Sequence, residues 1–408
     1  MHLENKRLSR AFFLIIWTTY TAVYMTKSCF SAALASIVEE GALTKSQTGF
    51  ITSAFYIVYA ILQVPGGLCA DRFSPVKLIK IGLLGGMAAN LIIFFNQNYY
   101  VMLSAWIFNG IVQFALWPSV FKIVSSQLVR SDRKPMIFLI ALASSAGLLI
   151  AYLVAAFVTK WQYNFLVSAI TLLAFTVIVH FSYKRVEGEL VPDGRREEKG
   201  DVARESTLST GKLFFKSGFF VLVPAIFCVS AVEQCVKTLS PTMLMESYPA
   251  VSASLGNLMG TLVIGTGIIG MVVASYLHSH CVKKELVAYL GIILLAIPFS
   301  LALCWLGIIN ATVITAVMCA VVFFLAPAHM FSSQFNAKFS RYGKNGTAAG
   351  IANCAMSLSI VAESYGFNLL AEKCGWIAVT IPCVVLLVVA ATLTAVALGQ
   401  WNRFNKGM

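Results

Sequence analysis

Long apolar runs, each closed by a short cluster of turn residues and charges, recur along almost the whole chain. A helix needs roughly 20 mostly apolar residues to cross a hydrocarbon core about 30 Å thick. Stretches of that length fall at about 11 to 38, 47 to 70, 76 to 95, 99 to 126, 135 to 159 and 162 to 183. A second set falls at about 217 to 245, 254 to 279, 285 to 306, 309 to 335, 346 to 371 and 375 to 400. The pattern predicts an all-α membrane protein with twelve transmembrane helices in two pseudo-symmetric six-helix bundles. Between the sets, VEGELVPDGRREEKGDVARESTLSTGK is too polar to span and too short to form a domain. The expected organisation is one bundle over 1–183, a cytoplasmic linker over 184–216 and a second bundle over 217–408.

Composition agrees with this reading: 59% of residues are hydrophobic and 12% charged, whereas a soluble domain carries about a quarter charged residues. The net charge of +13 does not point to nucleic acid, because the basic residues are scattered over many short loops. Lys and Arg are retained on the cytoplasmic side of a membrane. With the N-terminus placed there, that side collects Lys6, Arg7, Arg10, Arg72, Lys77, Lys80, Lys283, Lys284, the basic residues of the linker and those near both later cytoplasmic turns. Lys45, Lys160 and Lys373 fall opposite. Both termini are therefore expected in the cytoplasm of a cell whose inner (plasma) membrane the chain spans many times. The first apolar run is too long for a signal peptide and lacks a small-residue cleavage pattern, so it reads as a retained helix. The ten cysteines lie mostly inside apolar runs without CxxC or Cys/His spacing, and neither a metal nor a structural disulfide is expected.

The turn after the second helix reads GGLCADRFSPVKL, with Gly67 four residues before Asp71 and Arg72. This resembles the G-x-x-x-D-R loop of the major facilitator superfamily. An acid and a base at a helix end are suited to latch one conformation and release it, so Gly67, Asp71 and Arg72 are the latch candidates. The matching loop of the second half, SYLHSHCVKKEL, keeps Lys283 and Lys284 without an acid at the corresponding place. Within the superfamily, YTAVYMTKSCF on the first helix is similar to the Y-x-x-x-Y-x-x-R-x-x-F run of the organophosphate:phosphate antiporters, the glycerol-3-phosphate and hexose-phosphate transporters. WPSVFK at Trp117 to Lys122, SPTML at Ser240 to Leu244 and GTAAG at Gly346 to Gly350 agree in order.

The resemblance implies a carrier whose central site clamps a phosphate between arginines of the first and seventh helices. Those arginines fall here on Lys27 and Glu233, a helix 2 lysine falls on Gln63, and a helix 5 histidine falls near Ser144. Arginine offers a planar two-pronged fork and lysine a point charge, so the scaffold persists while the phosphate clamp does not. Tyr20, Tyr24 and Gln113 are neutral hydrogen-bonding groups on helices that line the cavity of such a fold.

The intramembrane charges speak independently of any family. An ionisable group at bilayer depth costs at least about 2.5 kcal/mol and so marks a pair or a solute path. Lys27 and Glu233 each stand about sixteen residues into the first helix of their half, which a pseudo-twofold repeat places face to face. Lys237 follows Glu233 on the same helical face, and if those two pair, Lys27 is left for an anion. Glu233, Glu363 and His329 are the candidates for carrying a proton. Lys122, near a helix end, is expected to brace the fold.

The expected function is secondary active transport of a small organic anion, a carboxylate, zwitterion or sugar-phosphate-like solute, by alternating access, proton-coupled or by antiport. The alternative is a transporter-like membrane sensor. No P-loop, metal cluster, nucleophile triad or catalytic carboxylate pair is recognisable, so enzymatic chemistry and cofactors are not expected. GTGIIG within Gly260 to Gly270 lies inside an apolar run and lacks the context of a dinucleotide site. The expected partners are the solute, a proton or counter-anion and the bilayer, with the protein working as a monomer.

Overall fold

The computed structural model describes residues 3–158, 160–191, 210–342 and 344–407, and the side chains of Gln63 and Asp71 lie outside those described. Ten of the described helices are long and apolar enough to cross a membrane. Lys45–Arg72 and Arg133–Phe157 complete twelve spans. The chain divides into two compact units, Met1–Glu198 and Lys199–Met408.

Short polar side chains start several of the spans. Asn5 Oδ1 accepts from the backbone N–H groups of Arg7 and Leu8 at 3.0 and 3.2 Å. Thr44 and Gln47 form a capping box ahead of the second span, and Ser252 Oγ accepts from Leu255 N–H at the head of the eighth. Each satisfies N–H groups that no carbonyl inside the helix can reach.

In the first unit the first span comprises Lys6–Lys27 and Cys29–Glu39. Lys45–Arg72, Pro75–Phe95, the fourth span beginning at Tyr99–Val112, then Arg133–Phe157 and Gln162–Glu187 follow. In the second unit a short helix, Thr210–Lys216, precedes the seventh span, Phe219–Ser247. Ala253–His280, Glu285–Ala302, the tenth span beginning at Ala311–Leu325, the eleventh beginning at Asn345–Val361, and Trp376–Gly407 complete it.

Spans of the first unit pack as 1 on 2, 1 on 5, 1 on 6, 2 on 4, 3 on 4 and 3 on 6. Those of the second pack as 7 on 8, 7 on 11, 7 on 12, 8 on 10, 9 on 10 and 9 on 12. Adding six to each number relates these six pairings, as an internal repeat requires, while 7 on 10 and 11 on 12 are further pairings of the second unit.

Four spans that the apolar pattern presents as continuous are interrupted. The fourth stops at Val112, resumes as Leu116–Lys122 and passes into a π segment, Ile123–Gln127. The tenth breaks between Ala311–Leu325 and Ala328–Ala337. Proline explains both, since it brings no N–H to the carbonyl four residues back. Pro118 leaves the Phe114 carbonyl and Pro327 leaves the Phe323 carbonyl without that partner. Each of these carbonyls faces a glycine of the neighbouring span: a Cβ on Gly66 would lie 2.6 Å from Phe114 O, and one on Gly270 would collide with Phe323 O. The first span breaks at Ser28, just after Thr26 Oγ1 donates back to the Val23 carbonyl at 2.9 Å, a bond that bends helices. The eleventh carries a π segment, Ala362–Phe367, between Asn345–Val361 and Asn368–Cys374.

The Ser28 break also separates two apolar clusters of the first unit. One gathers Phe12, Ile16, Tyr20 and Val23 with Leu83, Leu116 and Val120. The other gathers Cys29, Phe30 and Ile37 with Phe55, Tyr59, Trp106 and Phe165. Outward-facing Ile61, Phe95, Phe157 and Phe181 are exposed, as lipid-facing positions of a spanning bundle are.

Candidate functional site

Lys27 ends the first helical segment, between those two clusters, and is 3% exposed. Its Nζ lies 4.2 Å from the centroid of the Tyr59 ring, 5.1 Å from that of Tyr24 and 5.8 Å from that of Phe55. Among the described residues of its unit, no carboxylate or carbonyl pairs with this ammonium. A ring face contributes about 0.5 to 2 kcal/mol, so three faces make the buried charge tolerable. Among the described residues of its unit, none offers an acceptor to its three N–H donors.

Tyr24 joins this cluster to Tyr20, edge to face at 5.1 Å, and Tyr20 stacks on Trp117 at 5.2 Å. The first-helix motif and the WPSVFK motif are thus one aromatic chain ending at Lys27. Phe55 and Tyr59 were not singled out from the sequence. Their four-residue spacing on the second span, in SAFYIVYA, was the available signal.

Gln113 lies elsewhere. Its Nε2 donates to Asn109 Oδ1 at 2.6 Å, and both side chains pack over Gly86 of the third span, fully buried. Asn90 donates to the Gly86 carbonyl at 2.8 Å and takes the Cys29 thiol at 3.6 Å. These residues form a polar layer between helices.

The second unit presents a denser constellation. Glu233 is 1% exposed, and both its oxygens are engaged: Lys237 Nζ donates to Oε1 and His329 Nε2 to Oε2, each at 2.7 Å. The Glu233 and Lys237 charges therefore neutralise each other within one helix. His329 sits just past the tenth-span break, with Nδ1 3.2 Å from Met356 Sδ. Glu363 occupies the π segment of the eleventh span, 3% exposed, and meets hydroxyls: Thr238 Oγ1 at 2.5 Å and Ser364 Oγ at 2.9 Å. Thr238 and Met356 escaped the sequence reading because their partners come from other spans, and Ser364 did so although it adjoins Glu363.

At the ends of the spans, Lys122 Nζ donates to the Ala70 carbonyl at 2.6 Å, so it braces the last turn of the second span. Arg72 closes that helix and is exposed, and Gly67 lies within it. In the second unit an acid stands at the start of the ninth span rather than at the end of the eighth. Glu285 accepts from Trp401 Nε1 at 3.1 Å, from Asn405 Nδ2 at 3.0 Å and from Lys338 Nζ at 3.4 Å. Arg10 Nε meets Asp132 at 3.0 Å, and the Ser131 hydroxyl and this guanidinium hold the Asp132 carboxyl below its ordinary range.

Comparison with known proteins places this geometry. The family profile described as Major Facilitator Superfamily matches residues 16–362. A probable hexose phosphate transport protein of Chlamydia pneumoniae is 23% identical over 95% of this chain and 90% of its own length. The membrane sensor protein UhpC of Escherichia coli K12 is 27% identical over 30% of this chain, and that match spans 28% of the sensor's length. A bacterial homologue of the human lysosomal transporter Spinster, crystallised inward-facing and occupied, superposes with a TM-score of 0.79 at 13% identity, covering 98% of this chain and 99% of that one.

Proposed function

Since this chain belongs to the major facilitator superfamily, we propose that it is a secondary active carrier of a small organic anion working by alternating access. Lys27 carries the reading. It is a buried ammonium wrapped by three aromatic rings, and among the described residues of its unit no anion neutralises it. A bound anion supplies the missing acceptor. Tyr20 and Tyr24 position the ammonium, and Gln63 of the second span is a further solute-binding residue in this reading. Glu233, Lys237 and His329 form the polar wall of the other unit. A lysine suits a carboxylate or a zwitterion as well as a phosphate, and its point charge does not select the two-pronged geometry of a phosphate ester.

In this reading the chain performs transport and no covalent chemistry, needs no cofactor and works as a monomer. Both termini lie in the cytoplasm, residues 184–216 serve as a cytoplasmic linker, and Gly67, Asp71 and Arg72 latch one state. The distribution of Lys and Arg supports the orientation.

The test is uptake by proteoliposomes of carboxylates, sugar acids and sugar phosphates. A charge-assisted hydrogen bond contributes about 1.5 to 3 kcal/mol, so Lys27→Ala should raise the half-saturating concentration roughly 10- to 100-fold. Unimpaired uptake by that variant refutes the assignment. The likeness to a membrane sensor favours a receptor as the second reading, and binding without counterflow is its signature.

A further inference from the structure

The second unit holds two buried carboxyls in unlike surroundings. Glu233 receives an N–H donor on each oxygen, from Lys237 and from His329. Ionised, it satisfies both; protonated, it would set its own hydrogen against one of them. Glu363 meets only hydroxyls, on a π segment, the geometry in which an extra residue is inserted into a helix and which often marks functional sites.

The Thr238 hydroxyl decides what Glu363 can do. Its Oγ1 lies 2.8 Å from the Gln234 carbonyl, which only accepts, and 2.5 Å from Glu363 Oε1. A hydroxyl has a single hydrogen and accepts through its lone pairs. When that hydrogen goes to Gln234, the contact with Glu363 is completed by a proton on Oε1. When Glu363 is ionised, the hydroxyl turns and gives its hydrogen to the carboxylate. The Gln234 carbonyl then keeps its ordinary helical partner. Both protonation states are satisfied without moving a heavy atom, and Ser364 donates to Oε2 in each.

From this geometry we infer that Glu363 is the proton-binding site of the carrier, with Thr238 as its reorienting partner and Glu233 as a permanently ionised counter-charge to Lys237. The inference rests on the carrier reading for its consequence, coupling, and on the geometry alone for the site. The titratable groups facing Glu363 are Lys237 and Cys235 of the seventh span. Cys383 of the twelfth touches Cys235 at 3.9 Å between sulfurs. Beyond them, His329 of the tenth span reaches the cluster through Glu233. Lys237 is the one cation of the group that faces both carboxyls. With Glu363 neutral it belongs wholly to Glu233. Once the proton leaves, it is shared between two carboxylates, and its hold on Glu233, and through Glu233 on His329, weakens. Proton release thereby changes the wall presented to the solute.

Infrared difference spectroscopy of the reconstituted full-length protein, with buffer stepped from mildly alkaline to neutral, tests the site without any solute. Surface carboxylates remain ionised over that range. A protonated-carboxyl band is expected in the wild type, absent in Glu363→Gln and displaced in Thr238→Val. A wild type without the band, or Glu363→Gln retaining it, overturns the inference. In proteoliposomes an imposed pH gradient should accumulate at least 10-fold less solute in Glu363→Gln, and undiminished accumulation also overturns it. A wild type that moves no anion refutes the carrier reading, and the infrared band still decides the proton site.

Discussion

Lys27 and Glu233 are the residues where a family pattern and an independent physical argument met. The pattern identified the positions, and the cost of a charge in hydrocarbon identified their importance. Neither revealed the surroundings. That Lys27 is wrapped by Tyr59 and Phe55 depends on how the second span is rotated against the first, and that rotation is set by packing rather than by any local preference. Glu233 differs, because one of its partners, Lys237, is four residues away and legible in the sequence. Two predictions belong here. Replacing Lys27 by Arg restores a planar fork, so the ratio of phosphate-ester to carboxylate uptake should rise several-fold in competition assays. Replacing Glu233 by Gln leaves Lys237 buried without its acid, a change that costs about 3 to 5 kcal/mol at buried pairs. The melting temperature in detergent should fall sharply, and Glu233→Gln with Lys237→Met should recover part of the loss.

The helices themselves were readable because twenty consecutive apolar residues have few alternatives at membrane depth, where every backbone group must be paired internally. Their interruptions were not readable from the apolar pattern, which runs through Pro118 and Pro327 unchanged. The two prolines, and the glycines that face the carbonyls they leave without a partner, form one device used twice: Gly66 against Phe114 and Gly270 against Phe323. A side chain at Gly270 meets backbone, which cannot turn aside as a flexible side chain can. Gly270→Leu should therefore reduce the yield of monodisperse protein on size-exclusion chromatography, whereas Leu at Gly291, which has nothing near its Cβ position, should not. The latch search shows the opposite limit. A fixed spacing was sought in the second half, and Glu285, a few residues along, was passed over although it gathers Trp401, Asn405 and Lys338.

At the scale of the molecule, the six-plus-six organisation emerged from counting apolar runs, and the matching packing order of the two units gives it a structural basis. Orientation rests on the loop charges, and the chain carries its own probes for it. Cys281, after the eighth span, and Cys374, ahead of the twelfth, are both exposed. They lie on opposite sides if the termini are cytoplasmic. In single-cysteine variants of intact cells, a membrane-impermeant maleimide should label Cys374 and spare Cys281, and the reverse result inverts the topology.

The Glu285 junction also has a meaning in time. Its carboxylate enters the membrane boundary with the ninth span, but Trp401, 116 residues further along, has yet to be synthesised. Within the second unit the start of the ninth span waits for two of its partners until the twelfth span has been made. A chain stopped short of Trp401 would hold a complete first unit and an unsealed second one. The late turns of the twelfth span thus seal the start of the ninth, and that seal forms only after both have been made.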